Sequence, residues 1–147
     1  MVCIRKCFDE LSEYISEGIQ VEGENIEEIL RRYMECRIEF FKKYPYYKKI
    51  FHTAVFNAPP HLTEEIEESR KRLHQVNELF LEKVISDLTL KENVNKADLI
   101  RISIDFGNYL LSKYKGKNTL EENFMEELVE EFIQMMRMLF YGVVREN

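Results

Sequence analysis

Two polar residues sit where an all-apolar stripe would otherwise run. Arg37 falls between Tyr33 and Phe41 on one helical face. A guanidinium there can pair bidentately with a carboxylate or a phosphate. Its other possible roles are an internal ion pair with one of the many glutamates, or a head that reaches past the stripe to water. Asn77 sits between Leu73, Phe80 and Val84, and a buried amide needs partners from ligand, water or backbone. Phe51, Val55, Phe56 and Phe80 offer the apolar wall on which most small-molecule sites are built, or equally an ordinary core. Arg37, Phe51, Val55, Phe56, Asn77 and Phe80 are therefore the candidate ligand-binding residues.

Other reactive residue types are poorly placed for chemistry. His52, His61 and His74 are scattered, with no ligand spacing to another histidine or acidic pair, so no metal site is expected. Cys3 and Cys7 are four apart on a helix face, a spacing that fits core or free thiols better than redox chemistry. Met135, Met136 and Met138 suit core or interface filling rather than a cofactor. The basic, aromatic stretch from Arg37 to Lys49 resembles a base-stacking surface. Lys42 and Lys43 nevertheless fall at a helix C-terminus, where cations are favoured anyway. There is no glycine-rich phosphate loop, no nucleophile elbow and no convincing acid–base pair. No enzyme activity and no cofactor are expected.

Composition sets the frame for these residues. The chain has 147 residues, a net charge of -6, 45% hydrophobic and 33% charged residues, five glycines and three prolines. That length suits one domain over residues 1–147, and the scarcity of Gly and Pro favours long helices. An odd count of three cysteines points to a reducing compartment, and so to the cytoplasm. Arg5, Lys6, Asp9 and Glu10 interrupt any signal-like start, and no apolar run is long enough to span a bilayer. The acidic balance argues against nucleic-acid binding by these residues alone.

Apolar spacing and punctuation predict an all-α array of six helices. The first runs from about Val2 to Glu17, with Ile4, Cys7, Phe8, Leu11, Tyr14 and Ile15 on one side. Asn25 and Glu28 form a capping box for the second, whose stripe is Ile26, Leu30, Tyr33, Phe40, Phe41 and Tyr44; Pro45 ends it. A short aromatic helix follows from Tyr46 to Phe56, broken at Asn57, Ala58, Pro59 and Pro60. Thr63 is the expected cap of the fourth, with Ile66, Leu73, Val76, Phe80, Val84 and Leu88 as its stripe. Asn95 and Asp98 start the fifth, which runs to about Tyr114; Thr119 and Glu122 cap the sixth, which stops near Gly142.

The last helix carries apolar residues over about half its circumference, from Phe124 to Val143. On the fifth, Phe106 and Leu110 share a face with the small residues Ser103 and Gly107. Such breadth predicts a homodimer in which each subunit contributes its last two helices, residues 96–144, to a four-helix bundle. Ser103, Phe106, Gly107, Leu110, Phe132, Met136 and Leu139 are the candidate interface residues. A helix buried between two neighbours of its own chain would show the same pattern.

This order of features resembles the C-terminal, ligand-sensing and dimerising domain of TetR/AcrR-type transcriptional regulators. The resemblance rests on the run from Phe40 through Lys42, Lys43, Tyr44, Pro45, Tyr46 and Tyr47 to Phe51. It continues with Phe56, Asn57, Ala58, Pro59 and Pro60, the helix bearing Asn77 and Phe80, and the closing Met138 to Val144. It implies a regulatory domain that binds a small apolar or aromatic effector. The family's helix-turn-helix head is absent from this chain, so DNA would be reached only through such a head elsewhere, and residues 1–17 look like the connector that follows it. The implied mechanism is a ligand that tilts the connector and changes the spacing of two DNA-binding heads. A helical protein-interaction module without a small-molecule ligand is the other expectation. A cavity among the second, third and fourth helices separates the two.

Overall fold

Asparagines set two of the helix starts. The computed structural model describes residues 2–18, 25–116 and 123–143, with Val2 and Val143 as backbone. Six α-helices run in order: α1 (Val2–Gly18), α2 (Ile26–Lys43), α3 (Pro45–Phe56), α4 (Thr63–Ser86), α5 (Lys96–Lys113) and α6 (Phe124–Val143). No strand occurs among the described residues. Asn25 Oδ1 accepts from the Glu28 amide at 2.9 Å to open α2. Asn95 Oδ1 accepts from Ala97 and Asp98 at 2.7 and 3.3 Å to open α5. Each such bond satisfies a backbone donor that the first helical turn leaves without a partner. Thr119 and Glu122 lie outside the described residues.

The α2–α3 junction is a single residue. Tyr44, at φ -129° and ψ 73°, ends α2, and Pro45 opens α3 at a first-turn position where proline loses nothing. Tyr44 leaves the buried stripe at this break and stands exposed, contrary to expectation. Thr63 is also not a cap. A 3₁₀ turn at Pro60–Leu62 feeds straight into α4, so Thr63 is already helical and its hydroxyl donates to the Pro60 carbonyl at 3.0 Å. Leu88 falls beyond the end of α4 and is half-buried.

Cys7, Phe8, Leu11 and Ile15 are wholly buried where α1 lies against α2, α3 and α4. At the end of α1, a Cβ on Gly18 would stand only 3.2 Å from Cys36 Sγ, so that helix comes close to α2. Beyond α1, the helices α2, α4, α5 and α6 make a ring: α4 packs on α5, α5 on α6, and α6 on α2. Arg31 pairs with Glu130 and Arg137 with Glu27, so α2 and α6 run antiparallel. These pairs are solvent-facing and add little stability each. After α5 the chain turns at Gly116, whose φ of +77° suits glycine, and its amide donates to the Phe56 carbonyl at 3.0 Å. That bond ties the end of α3 to the end of α5.

The breadth of apolar surface on α6 has an internal explanation. Phe124, Met125, Leu128, Val129, Phe132, Ile133, Met136 and Phe140 are all buried within one subunit, because α6 lies between α2 and α5. Most of this surface is therefore already covered within one chain. Met138 and Tyr141 remain exposed.

The capping geometry makes a direct prediction. Asn95→Ala should lower stability by about 1 kcal/mol in urea denaturation, within the usual range for a lost cap. Thr63→Ala should change it by about 0.5 kcal/mol or less, as for a surface change away from a cap. Equal losses at the two positions would contradict the assignment of Asn95 as cap and Thr63 as interior.

Candidate functional site

The closing edge of the helix ring is different from the other three. The α2 and α4 backbones do not press together as the other neighbours do; side chains span the gap between them. Tyr33 of α2 stacks on Phe80 of α4, with ring centroids 3.9 Å apart and planes 10° from parallel. Arg37, one turn on from Tyr33, lays its guanidinium carbon 4.4 Å from the Tyr33 ring centroid. Its Nη1 donates to the Tyr33 carbonyl at 2.9 Å. Its Nη2 donates to Tyr33 Oη at 3.1 Å and to Asn77 Oδ1 at 2.8 Å. The Tyr33 hydroxyl donates to the same Asn77 oxygen. Burial pushes the Tyr33 phenol up, which keeps that donor proton in place.

Arg37 is thus buried with only neutral oxygens as recorded acceptors, and no carboxylate forms an ion pair with it among the described residues. An internal partner among the glutamates, one of the roles expected for it, is not what the fold supplies. The cation is held by a backbone carbonyl, a phenol, an amide and an aromatic face.

A cavity of about 260 Å³ opens beside this bridge, walled by α2, α4, α5 and α6, with Phe51 of α3 also contributing. Its surface is mainly apolar, from residues such as Leu73, Leu81, Leu110, Leu128 and Phe132. The polar groups on its wall include Arg37, Asn77, Arg70, His74, Glu78 and Asn108. Burial pulls Arg70 below the usual arginine range, and burial together with the Arg70 charge pulls His74 down. Both effects hold His74 toward its neutral form, in which one nitrogen donates and the other accepts.

The sequence-derived residues divide cleanly. Arg37, Phe51 and Asn77 line the cavity. Phe80 stands behind Tyr33 as its stacking partner, and Val55 and Phe56 are buried elsewhere, Phe56 against the rings of His52 and Phe124. Four residues expected at a dimer interface, Ser103, Gly107, Leu110 and Phe132, line the same cavity. Met136 is fully buried within the subunit, while Phe106 and Leu139 are half-buried. Sequence reasoning missed Tyr33 as the hub of the bridge, and Arg70 and His74 as wall residues. The signal was there: Arg70, Leu73, His74, Asn77 and Leu81 recur at helical spacing on α4.

The cysteines are not part of this site. Cys7 is buried, its thiol pushed up to about 12 by burial and by Glu10, and burial also raises Cys36. Among the described residues no three His, Cys, Asp or Glu side chains are grouped to hold a metal ion. No helix of the described residues is long and apolar enough to cross a membrane.

Residues 24–143 match the family described as tetracyclin repressor-like, C-terminal domain. No curated protein and no solved structure matches the chain. The family match runs from the start of α2 to the end of α6, and so takes in all four helices of the ring and the α3 segment that bears Phe51. On that match, and with an all-helical fold to support it, the chain belongs to the tetracyclin repressor-like C-terminal domain family.

Proposed function

We propose that this chain is the effector-sensing, dimerising regulatory domain of a TetR-like repressor, and that its effector occupies the cavity between α2, α4, α5 and α6. Membership of a family of regulatory, ligand-binding domains supports the general reading. The observation that carries the specific one is the cavity itself, about 260 Å³ with a mainly apolar wall and a few convergent polar groups. That size lies just below the usual range of about 300–1,000 Å³ for ligand sites, so the effector is a small molecule with an apolar or aromatic body. A protein-interaction module would have no use for such an internal space. The cavity is walled by α2 and α4, as the sequence suggested, and by α5 and α6 as well, while α3 contributes only Phe51.

The sensing mechanism follows from where the cavity lies. A molecule in it touches the α2–α4 bridge, and α1 packs across both of those helices. An effector that fits one α2–α4 spacing better than another biases the seat of α1, by as much as its affinities for the two arrangements differ. The domain would act on DNA only through a helix-turn-helix joined to it, in the cytoplasm, without a cofactor and without catalysis. Pairing would use what the subunit leaves uncovered on its last helices: Phe106 and Tyr109 on α5, and Met138 and Leu139 on α6.

Gly107 provides the test. It lines the cavity from α5, and a Cβ placed on it meets nothing within 4 Å. Gly107→Ala should raise stability by about 0.5–1 kcal/mol, the usual gain for replacing a mid-helix glycine. Gly107→Leu should fill the space. Indole and 1-naphthol are suitable neutral probes, and at about 100 times its Kd a probe adds about 2.7 kcal/mol to apparent stability. The expected result is a raised melting temperature with wild type and with Gly107→Ala, and none with Gly107→Leu. Identical shifts in all three would place binding elsewhere. For pairing, the chain should sediment as a dimer and Met138→Glu as a monomer; a wild-type monomer at high concentration would remove the dimer from the proposal.

A further inference from the structure

We propose that the molecule taken by this cavity is a monocarboxylate with an apolar body, and that Arg70 receives its carboxylate. The inference rests on the effector-site reading above and specifies its ligand class. Arg70 lies on α4 with Leu73, His74 and Asn77, and its side chain is only 14% exposed. Its Nε is buried and has no hydrogen-bond partner among the described residues. The recorded partner of the side chain is Glu67, which reaches Nη1 at 3.4 Å from a largely solvated position. One edge of the fork thus faces outward to a weak surface pair, while the Nε donor is enclosed and unanswered. A buried donor on a cation is among the most unfavourable groups to leave without an acceptor.

The other charged groups on the wall sharpen this assignment. Arg37 contributes a second positive charge, but its recorded bonds go to Tyr33 and Asn77. Glu78 is the one acidic residue on the wall; it is exposed and forms no ion pair with either arginine among the described residues. His74, held toward its neutral form by burial and by Arg70, adds little charge of its own. The cavity therefore combines two guanidiniums with a single peripheral carboxylate. Nε has no surface open to the cavity as it stands, so an incoming carboxylate accepts from Nε and a neighbouring Nη once the Arg70 side chain turns toward it, the side-by-side arrangement that a guanidinium fork favours. The apolar body then lies along the α4 face toward Leu81 and against Leu110 and Phe132. A volume near 260 Å³ admits one acid of modest size and leaves no room for a nucleotide or an acyl-cofactor.

The test uses matched acids and amides of nearly equal shape: octanoate with octanamide, and 4-phenylbutyrate with 4-phenylbutyramide. Each is titrated calorimetrically into the full chain. In at least one pair the acid should bind ten-fold or more tightly than its amide. Arg70→Met should abolish that preference by weakening the acid and leaving the amide unchanged, and Arg70→Lys should restore part of it. Glu67→Gln should leave acid binding as it is. Without ligand, Arg70→Met should melt no lower than wild type, since it replaces an unanswered cation with an apolar chain of similar length. A clear drop in its melting temperature, with acid and amide both lost, would mean that Arg70 is structural and would overturn the proposal. Acids binding no better than their amides would overturn the carboxylate while leaving the effector cavity standing. If indole and 1-naphthol fail as well as both pairs, the cavity reading itself falls.

Discussion

A guanidinium buried with no counter-ion among the described residues is the constraint around which this domain is organised. Arg37 is tolerable inside only because Tyr33 and Asn77 supply oxygens for it and the Tyr33 ring supplies a negative face. Those same groups are what join α2 to α4. Large polar and aromatic side chains hold the two helices at a distance that aliphatic packing would close. The ring of four helices stays open at its centre for that reason. Removing the bridge would not simply delete a few hydrogen bonds; it would let the walls of the cavity approach each other.

The sixth helix shows how an apolar helix can be read in two ways. Its hydrophobic arc was wide enough to suggest a partner subunit, and the partners turned out to be α2 on one side and α5 on the other. Ser103, Gly107, Leu110 and Phe132, whose spacing also suits a dimer face, line the cavity. Helical spacing reports that a residue is covered. It carries no information about which chain, or which empty space, lies on the other side.

Much of the architecture was legible because its signals are local. Asn25 and Asn95 announce helix starts through bonds to amides two or three residues away, and Pro45 breaks the chain through its own ring. Thr63 misled because the competing signal, a 3₁₀ turn led by Pro60, precedes it and makes it interior. The site was only half legible. Arg37 and Asn77 stood out as polar residues in apolar stripes, yet their being partners depends on two helices meeting 40 residues apart in sequence. Arg70 on a glutamate-rich helix looks like ordinary surface, and His74 was weighed only as a metal ligand, for which it has no partner at the right spacing. Only the third dimension shows that they lie over an opening.

The distribution of thiols has a practical consequence. Of the three cysteines, Cys7 and Cys36 are buried with their ionisation suppressed, while Cys3 alone is exposed, near the start of α1. The native protein therefore offers a single addressable sulfur for a maleimide dye or a spin label, with no need to engineer others away. It sits on the helix that rests across the two cavity-bridging elements, so a label there would follow the seat of α1 against them.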